Sequence, residues 1–474
     1  MNELYKFISA PQTVCYDCDN GNNNDAYIPE HWAMESIMIL EEEMVMSKLV
    51  HRDFNDQVQQ YGDVVNTRQP SKFYSSRKKD CHDVEEQSAN STNVRVPLDQ
   101  HHYATFVICD GEASKSFKDL KTLYLEPAVQ AVGRAIDRSV MGQVHRFFGG
   151  QATGRLNGLS AANARQQLVQ AQQQLTSANV PMQGRNLILS PQSYASLLNT
   201  DLFVAVNQSG NDNALCSAKV GCLFGFDAYS ANNVPCSDKS AVASVSGTVT
   251  GAISAGSAAT TQPVTITGYE VQVGDYAVIE GNDQPQYVVA ATVGGGDTTD
   301  ITLDSGSKFS TAAGAVVTVY TGIVSSDAQP IGACGDISVV GDLAPGQIVS
   351  TGVGATRKSY TIIESRPDPA TPGNTLVLFD RPLEMPIAAG ETVFPGPSGC
   401  FNLAFHRDSI AFVNRPLQVP NRATGAMGAS MSYNDLSLRV VMQYDSKCQG
   451  TRVTVDSLSG VALLDRDLGQ LFLG

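Results

Sequence analysis

Two cysteines near the N-terminus form the first candidate site for chemistry. Cys15 and Cys18 make a CxxC pair within an Asn- and Asp-rich stretch, and such a pair can supply half of a tetrahedral zinc site. No second pair of ligands follows at a suitable spacing, so two free thiols are the favoured interpretation over a zinc site.

Two further groups could bind metal ions on strands. His101 and His102 are adjacent, and neighbouring side chains on a strand point to opposite faces, so they cannot both bind one metal. Asp297, Asp300 and Asp304 are spaced loosely like oxygen ligands, but without the loop pattern of an EF-hand. We therefore expect surface or interface imidazoles, solvated carboxylates and no metal.

Common catalytic motifs are not present in the sequence. It contains no GxxxxGK phosphate loop, no GxSxG and no HExxH, which predicts a protein that is not an enzyme and has no cofactor. The 474-residue chain has a net charge of -15 and shows no basic stripe of the kind that a dedicated nucleic-acid binder carries. Such acidity keeps a protein soluble and repels polyanions.

The distribution of apolar residues predicts the cellular setting of the chain. No stretch approaches 18 uninterrupted apolar residues, so no membrane span is expected. Residues 1–12 have no basic region followed by an apolar core, which predicts an unsecreted chain. Its ten cysteines are then expected to be reduced.

The N-terminal third predicts a helix followed by a hairpin. From Pro29 apolar residues recur at roughly helical spacing, with methionines that suit core or interface packing. Strands are predicted at 62–70 and 94–108, joined by a polar tip at 75–93. The tip has a basic block, Arg77 to Lys79, and then several carboxylates, which suits a solvated loop or pairing with a neighbouring copy.

The middle of the chain changes from mixed to β-rich composition. A long amphipathic helix is predicted at 125–148, and a short α/β segment with helices at 160–177 and 191–199 follows. From 237 to 395 the sequence is rich in Gly, Thr, Val and Ser, with short recurring strands that predict an all-β domain. This region holds 16 Asp and Glu against 6 Lys and Arg, so about -10 of the -15 lies there.

Several stretches, read in order, resemble one family. They are Ser47-Lys-Leu-Val-His-Arg-Asp-Phe with Tyr61-Gly-Asp-Val-Val-Asn, Pro127 to Asp137, Val180 to Pro191, Asn402-Leu-Ala-Phe-His-Arg-Asp, and Arg439 to Asp445 with Arg452 to Ala462. Together they are similar to the major coat proteins of short-tailed bacteriophages that carry an inserted domain in the HK97 fold. The resemblance runs from about residue 29 to the end, apart from the interior of the insertion.

The resemblance implies an α+β, HK97-like major capsid fold with an inserted all-β domain. The implied parts are an N-terminal arm and helix (1–62), an E-loop β-hairpin (63–110), a peripheral domain with the spine helix (111–156), the first part of the axial domain (157–236), the inserted β-rich domain (237–395), and the return with the closing strands (396–474).

It also implies a function and partners. Copies of the chain would form hexamers and pentamers of an icosahedral shell around double-stranded DNA, without specific DNA binding. Scaffolding and portal proteins are implied partners, with a decoration protein as a further candidate. The shell would assemble in the host cytoplasm and end in the virion. The alternatives are an HK97-type encapsulating compartment without DNA, another phage structural protein such as a tail or spike, and an enzyme with a β appendage.

Contacts between copies are expected at the arm and the hairpin, because neither can bury its apolar residues in a small domain of its own. The candidates are Trp32, Met44, Arg77, Lys78, Lys79, Glu85, Glu86, Val94 and Arg95.

Overall fold

The architecture was obtained as a computed structural model. It describes residues 29–53, 64–69, 73, 75–78, 86–87, 92–109, 124–148, 152–200, 221–237, 244–255, 261–266, 269–293, 298–333, 336–420, 426–446 and 449–474. Cys15, Cys18, Lys79, Glu85 and Asp297 lie outside the described residues, so the predictions that rest on them stay predictions.

The described residues form both helices and strands, which confirms the α+β class. The α-helices are α1 (Pro29–Glu43), α2 (Met46–Leu49), α3 (Glu126–Gly142), α4 (Ala164–Ser177) and α5 (Pro191–Leu198). The strands are β1 (Val64–Gln69), β2 (Thr92–Pro97), β3 (Gln100–Cys109), β4 (Ala152–Gly154), β5 (Arg185–Leu189), β6 (Cys222–Leu223), β7 (Phe226–Ser230), β8 (Cys236–Ser237), β9 (Ser244–Val249), β10 (Thr261–Thr265), β11 (Tyr276–Ile279), β12 (Gln286–Val293), β13 (Thr298–Leu303), β14 (Val316–Tyr320), β15 (Ile323–Val324), β16 (Ile337–Val340), β17 (Ile348–Thr351), β18 (Lys358–Pro367), β19 (Asn374–Phe379), β20 (Thr392–Pro395), β21 (Gly399–His406), β22 (Ile410–Arg415), β23 (Ala426–Tyr433), β24 (Leu436–Asp445), β25 (Gly450–Leu463) and β26 (Gly469–Leu473).

The long amphipathic helix is the spine of the largest core. Its apolar residues Val129, Val132, Ile136 and Val140 are all buried, because they fall on one face of α3. The helix is shorter than predicted: the α-helical part ends at Gly142, and residues 143–147 continue as a 3-10 helix. A five-stranded antiparallel sheet, β22-β25-β24-β23 with β3 also on β25, shares this core with α1 and α3.

A second, mixed sheet forms the α/β part. Its strands run in the order β4-β26-β21-β5-β7-β6, with β8 paired to β21. The apolar residues of α4 and α5 pack against β5 and β26 in a core of their own. Both predicted helices of this segment are confirmed, with α4 beginning at Ala164 rather than at 160.

The β-rich region contains two units rather than one. Strands β9 to β14 close into a six-stranded barrel, and β15 to β20 form a separate six-stranded sheet. Each unit buries its own cluster of apolar side chains. The prediction of an all-β region is therefore confirmed. The prediction that this region is one domain with one core is wrong, because its apolar strands divide between two cores.

Only part of the predicted hairpin is confirmed, namely the pairing of β1 with β2. β1 pairs with β2, but β2 ends at Pro97, and β3 pairs with β25 over its whole length. Val65, Val96 and Leu98 pack against residues of β22 and β25 within the same chain. The expectation that the apolar residues of the hairpin require a neighbour is therefore wrong for Val96 and Leu98. The chain at Pro97 passes so close to β25 that a Cβ at Gly460 would clash with the Pro97 carbonyl oxygen.

The expectation of reduced cysteines is wrong at one pair. Cys236 on β8 and Cys400 on β21 are directly opposite in the antiparallel register and form a disulfide across a Cα–Cα distance of 4.2 Å. The two strands are where the chain leaves for the β-rich region and where it returns. The bond therefore closes the whole region at its base.

This bond predicts a redox-dependent stability. Reduction should lower the free energy of unfolding by about 2–4 kcal/mol, as is typical when a long loop is no longer closed. Urea unfolding with and without a reductant measures it. Cys400→Ser should remove the dependence, whereas Cys222→Ser, at an exposed free thiol, should leave it intact. An equal response to reductant in the Cys400 variant would contradict the assignment.

Candidate functional site

Within the part of the chain that the structure describes, the candidate metal ligands do not come together. Among the described residues, no group of three or more His, Cys, Asp or Glu side chains is placed to hold an ion. His101 is exposed and its Nε2 lies 3.1 Å from Asp456 Oδ2. His102 points to the other face, where burial lowers its pKa to about 4. Asp304 accepts a hydrogen bond from the Tyr287 N–H at 3.1 Å.

No described helix is long and apolar enough to cross a membrane.

The predicted contact residues fall into two groups. Trp32 and Met44 are buried in the chain's own core beside α3. They offer no exposed surface to another copy in this conformation. Arg77, Lys78, Glu86 and Arg95 are exposed and Val94 is half-buried. The exposed candidates thus all belong to the hairpin.

The root of the arm is tied to the spine by a buried carboxylate that the sequence analysis did not single out. Asp137 Oδ1 accepts a hydrogen bond from the Ser47 N–H at 3.1 Å, and Oδ2 accepts one from Asn233 Nδ2 at 3.1 Å. Complete burial raises the pKa of Asp137, while these donors act in the opposite direction. One side chain on α3 thereby holds the start of α2 and the loop after β7.

The C-terminal end of the spine meets the six-stranded sheet at Asp380, a second residue that was missed. This fully buried carboxylate accepts from the Thr361 N–H at 2.9 Å, and Arg381 Nη1 lies 3.3 Å from its Oδ2. Gln143 Nε2 approaches the same oxygen at 3.4 Å. We call the contact that Asp380 makes with Gln143, Thr361 and Arg381 the junction.

Backbone groups complete the junction on both sides. Gln100 Nε2 donates to the Asp380 carbonyl at 2.7 Å, and Thr361 Oγ1 donates to the Gly142 carbonyl at 3.1 Å. A Cβ on Gly142 would lie 2.7 Å from Asp380 Cβ, so the approach requires glycine. The spine and the β-rich region are therefore joined by a packed polar contact and not by a flexible linker alone.

His145 links the junction to a cluster of cations. Its Nδ1 contacts the Gly142 carbonyl, and Arg381 Nη1 lies 3.0 Å from its Nε2. An N–H must donate at Nδ1, so Nε2 accepts from Arg381 and the ring is neutral. Burial, together with the charges of Arg381, Arg146 and Arg357, holds the pKa of His145 well below its usual value of 6.5.

The lowered pKa predicts a loss of stability in mild acid. The pKa of His145 is lower in the folded state than in the unfolded state. The neutral ring therefore makes its full contribution to the free energy of unfolding above pH 6.5, and this contribution is lost as the pH falls below that value. The loss is at most about 1.4 kcal/mol per pH unit. His145→Gln, whose amide can both donate and accept, should show a shallower decline below pH 6.5 in urea unfolding.

The comparison between variant and wild type isolates this effect. Burial raises the pKa of Asp380, so that carboxyl acts in the opposite direction as pH falls, and His102 acts in the same direction. Both are present in the wild type and in the variant. Identical slopes for the two proteins would contradict the assignment to His145.

The sequence did contain a signal for these residues. Asp137, Ser139, Gln143 and His145 are polar residues on or beside the apolar face of the predicted helix. Polar side chains in such a position need buried partners. The partners could not be named from sequence, since they lie from 39 to more than 200 residues away.

Comparisons with known proteins give likeness only to solved structures. No family model and no curated protein matches the chain. A structure described as Mycobacterium phage Che8 matches at 12% identity and a TM-score of 0.43, covering 90% of each chain. The capsid structure of the Cyanophage P-SCSP1u matches at 10% identity and 0.42, covering 91% of this chain and 88% of that one. The bacteriophage PhiM1 mature capsid matches at 9% and 0.40, covering 88% and 83%. At these identities and scores the likenesses carry no argument about the function of this chain, which rests on its own residues.

Proposed function

We propose that this chain is the major capsid subunit of a tailed bacteriophage, with an HK97-type fold. One observation carries the proposal. The two-stranded hairpin β1–β2 is fixed at its root by Val65, Val96 and Leu98, while the described residues of its charged tip are exposed. A rigidly rooted, charged projection suits contact with a neighbouring copy.

The rest of the described structure is compatible with shell geometry. The spine helix α3 packs on a long antiparallel sheet, and the α/β part and the β-rich region are attached to the same body through separate contacts. Head-to-tail contacts between such subunits close into rings and shells. Hexamers and pentamers would form an icosahedral shell, with the predicted domain boundaries as its arm, E-loop, peripheral, axial and inserted parts.

The proposal includes the partners implied by the family resemblance. The subunit would assemble in the host cytoplasm with a scaffolding protein and a portal, and would enclose double-stranded DNA without binding a specific sequence. Its net charge of -15 limits adhesion to packaged DNA. A decoration protein would have the exposed β-rich units available to it.

Electron microscopy of the purified, recombinantly expressed chain tests the proposal. Closed shells, or rings of five and six copies, are the expected result, with a scaffolding protein co-expressed if the chain alone gives rings only. Nuclease-protected DNA in particles from lysed host cells would separate a genome container from a DNA-free compartment. A chain that remains monomeric under all these conditions would exclude the proposal.

A further inference from the structure

Beside the junction is a recess of about 280 Å³ whose wall is dominated by cations. Arg146, Arg357, Lys358 and Arg381 line it, together with His145 and Glu384. Arg146 comes from the end of the spine, whereas the other three cations come from the β-rich region. The recess thus lies where the two parts of the chain meet.

The concentration of positive charge is unusual for this chain. The region from 237 to 395 holds six Lys and Arg against sixteen Asp and Glu, yet three of those six cations line this one recess. Random placement on an acidic surface would not bring half of its cations together. Like charges at short range repel, so this arrangement needs compensating negative charge.

The chain supplies only part of that compensation. Glu384 is shared by three cations: Lys358 Nζ lies 2.8 Å, Arg381 Nε 2.9 Å and Arg146 Nη2 3.7 Å from its carboxylate oxygens. The second carboxylate is Asp380, which is buried behind Arg381. The Asp304 carboxylate also lies close enough to Arg357 for their charges to interact. Four cations against three carboxylates still leave positive charge in excess.

One of the four guanidinium and ammonium groups has an unused donor. Arg357 stacks on the ring of Tyr287 at 3.5 Å and over Tyr276 at 4.7 Å, and its Nε donates to Ser350 Oγ at 3.2 Å. Its Nη2 is shielded from solvent and has no hydrogen-bond partner among the described residues. The stack holds the guanidinium in place, while its hydrogen-bonding capacity is not met by the chain.

We propose that this recess is a binding site for a small dianionic oxyanion of the inorganic phosphate type. Planar guanidinium groups donate paired hydrogen bonds to tetrahedral oxyanions, and a Lys beside them adds a point charge. A dianion offsets the excess positive charge, and 280 Å³ accommodates a single such ion with a few waters. A free ion fits better than a polyanion, because the net charge of -15 repels an extended chain of phosphates.

The site would couple anion binding to the attachment of the β-rich region. The bound ion would be held by cations of both the spine and the six-stranded sheet, so it would favour the joined state. The inference depends on the junction alone and not on the proposed capsid function.

Titration calorimetry of the full chain with inorganic phosphate, in chloride buffer of constant ionic strength, tests the site. One saturable binding event per chain is expected. Phosphate at about 100-fold above its Kd should raise Tm by roughly 3 °C. Arg357→Gln and Lys358→Gln should each weaken phosphate binding by about tenfold or more. Lys358 is partly exposed, so its variant is expected to fold even where the Arg357 variant does not.

The matched control is Arg366→Gln, on the same sheet but at an exposed ion pair with Asp336. It should bind phosphate as the wild type does. Phosphate also stabilises proteins generally through exclusion from their surface, but that effect does not saturate and would be equal in every variant. Absence of saturable binding in the wild type, or equal binding in the Lys358 variant, would overturn the proposal.

Discussion

Removing the tip of the hairpin should abolish assembly while leaving a folded subunit. Deletion of residues 75–91 keeps β1 and β2, and the remaining residues 70–74 suffice to turn between Gln69 and Thr92, which are paired across the ladder. The apolar root of the hairpin packs on β22 and β25, so its burial is retained. We expect shells and rings to disappear in electron microscopy, with the far-ultraviolet circular dichroism and Tm of the subunit unchanged.

Charge reversal provides a finer version of the same test. Arg77→Glu combined with Lys78→Glu changes only two exposed side chains of the tip. It should slow or prevent assembly if these cations pair with a neighbour. Arg366→Glu, also exposed but on the six-stranded sheet, is the matched control. Shells of normal size and yield from the tip deletion would contradict the role that we give to the hairpin.

Removing the carboxylate at the junction should have the largest effect on stability of any single substitution considered. Asp380→Ala leaves the Thr361 N–H without its acceptor and removes one of the two carboxylates that pair with the largely buried Arg381 guanidinium, the other being Glu384. Breaking a buried pair in this way costs about 3–5 kcal/mol. Calorimetry should show an earlier transition for the six-stranded sheet, and proteolysis should release the β-rich region sooner.

A matched carboxylate in the same sheet gives the control. Asp336 pairs with Arg366 at the surface, where such a pair contributes about 0–1 kcal/mol. Asp336→Ala should therefore be close to the wild type. Asp380→Asn should be intermediate, because the amide keeps the shape and one acceptor oxygen but carries no charge. Equal stabilities for the two alanine variants would show that the junction does not hold the β-rich region.

Local sequence patterns predicted the helices and strands but not which of them would pack against each other. The spacing of Val129, Val132, Ile136 and Val140 predicted the buried face of α3 correctly, since a helical face depends only on residues within a few turns. The break of the second predicted strand after Pro97 was missed. Alternating apolar residues continue across it, and only the position of β25 shows that β2 and β3 belong to different sheets.

The amino-acid sequence was enough to predict the α+β class, the acidic β-rich region and the charged hairpin tip. These depend on composition and on periodicity over short distances. Three contacts become visible only in the fold: the apolar root of the hairpin is buried within the chain, Cys236 bonds to Cys400, and Asp380 contacts the end of the spine helix. Each of these pairings joins residues that are far apart in sequence. Their meeting is set by how sheets and helices pack, and no local propensity records it.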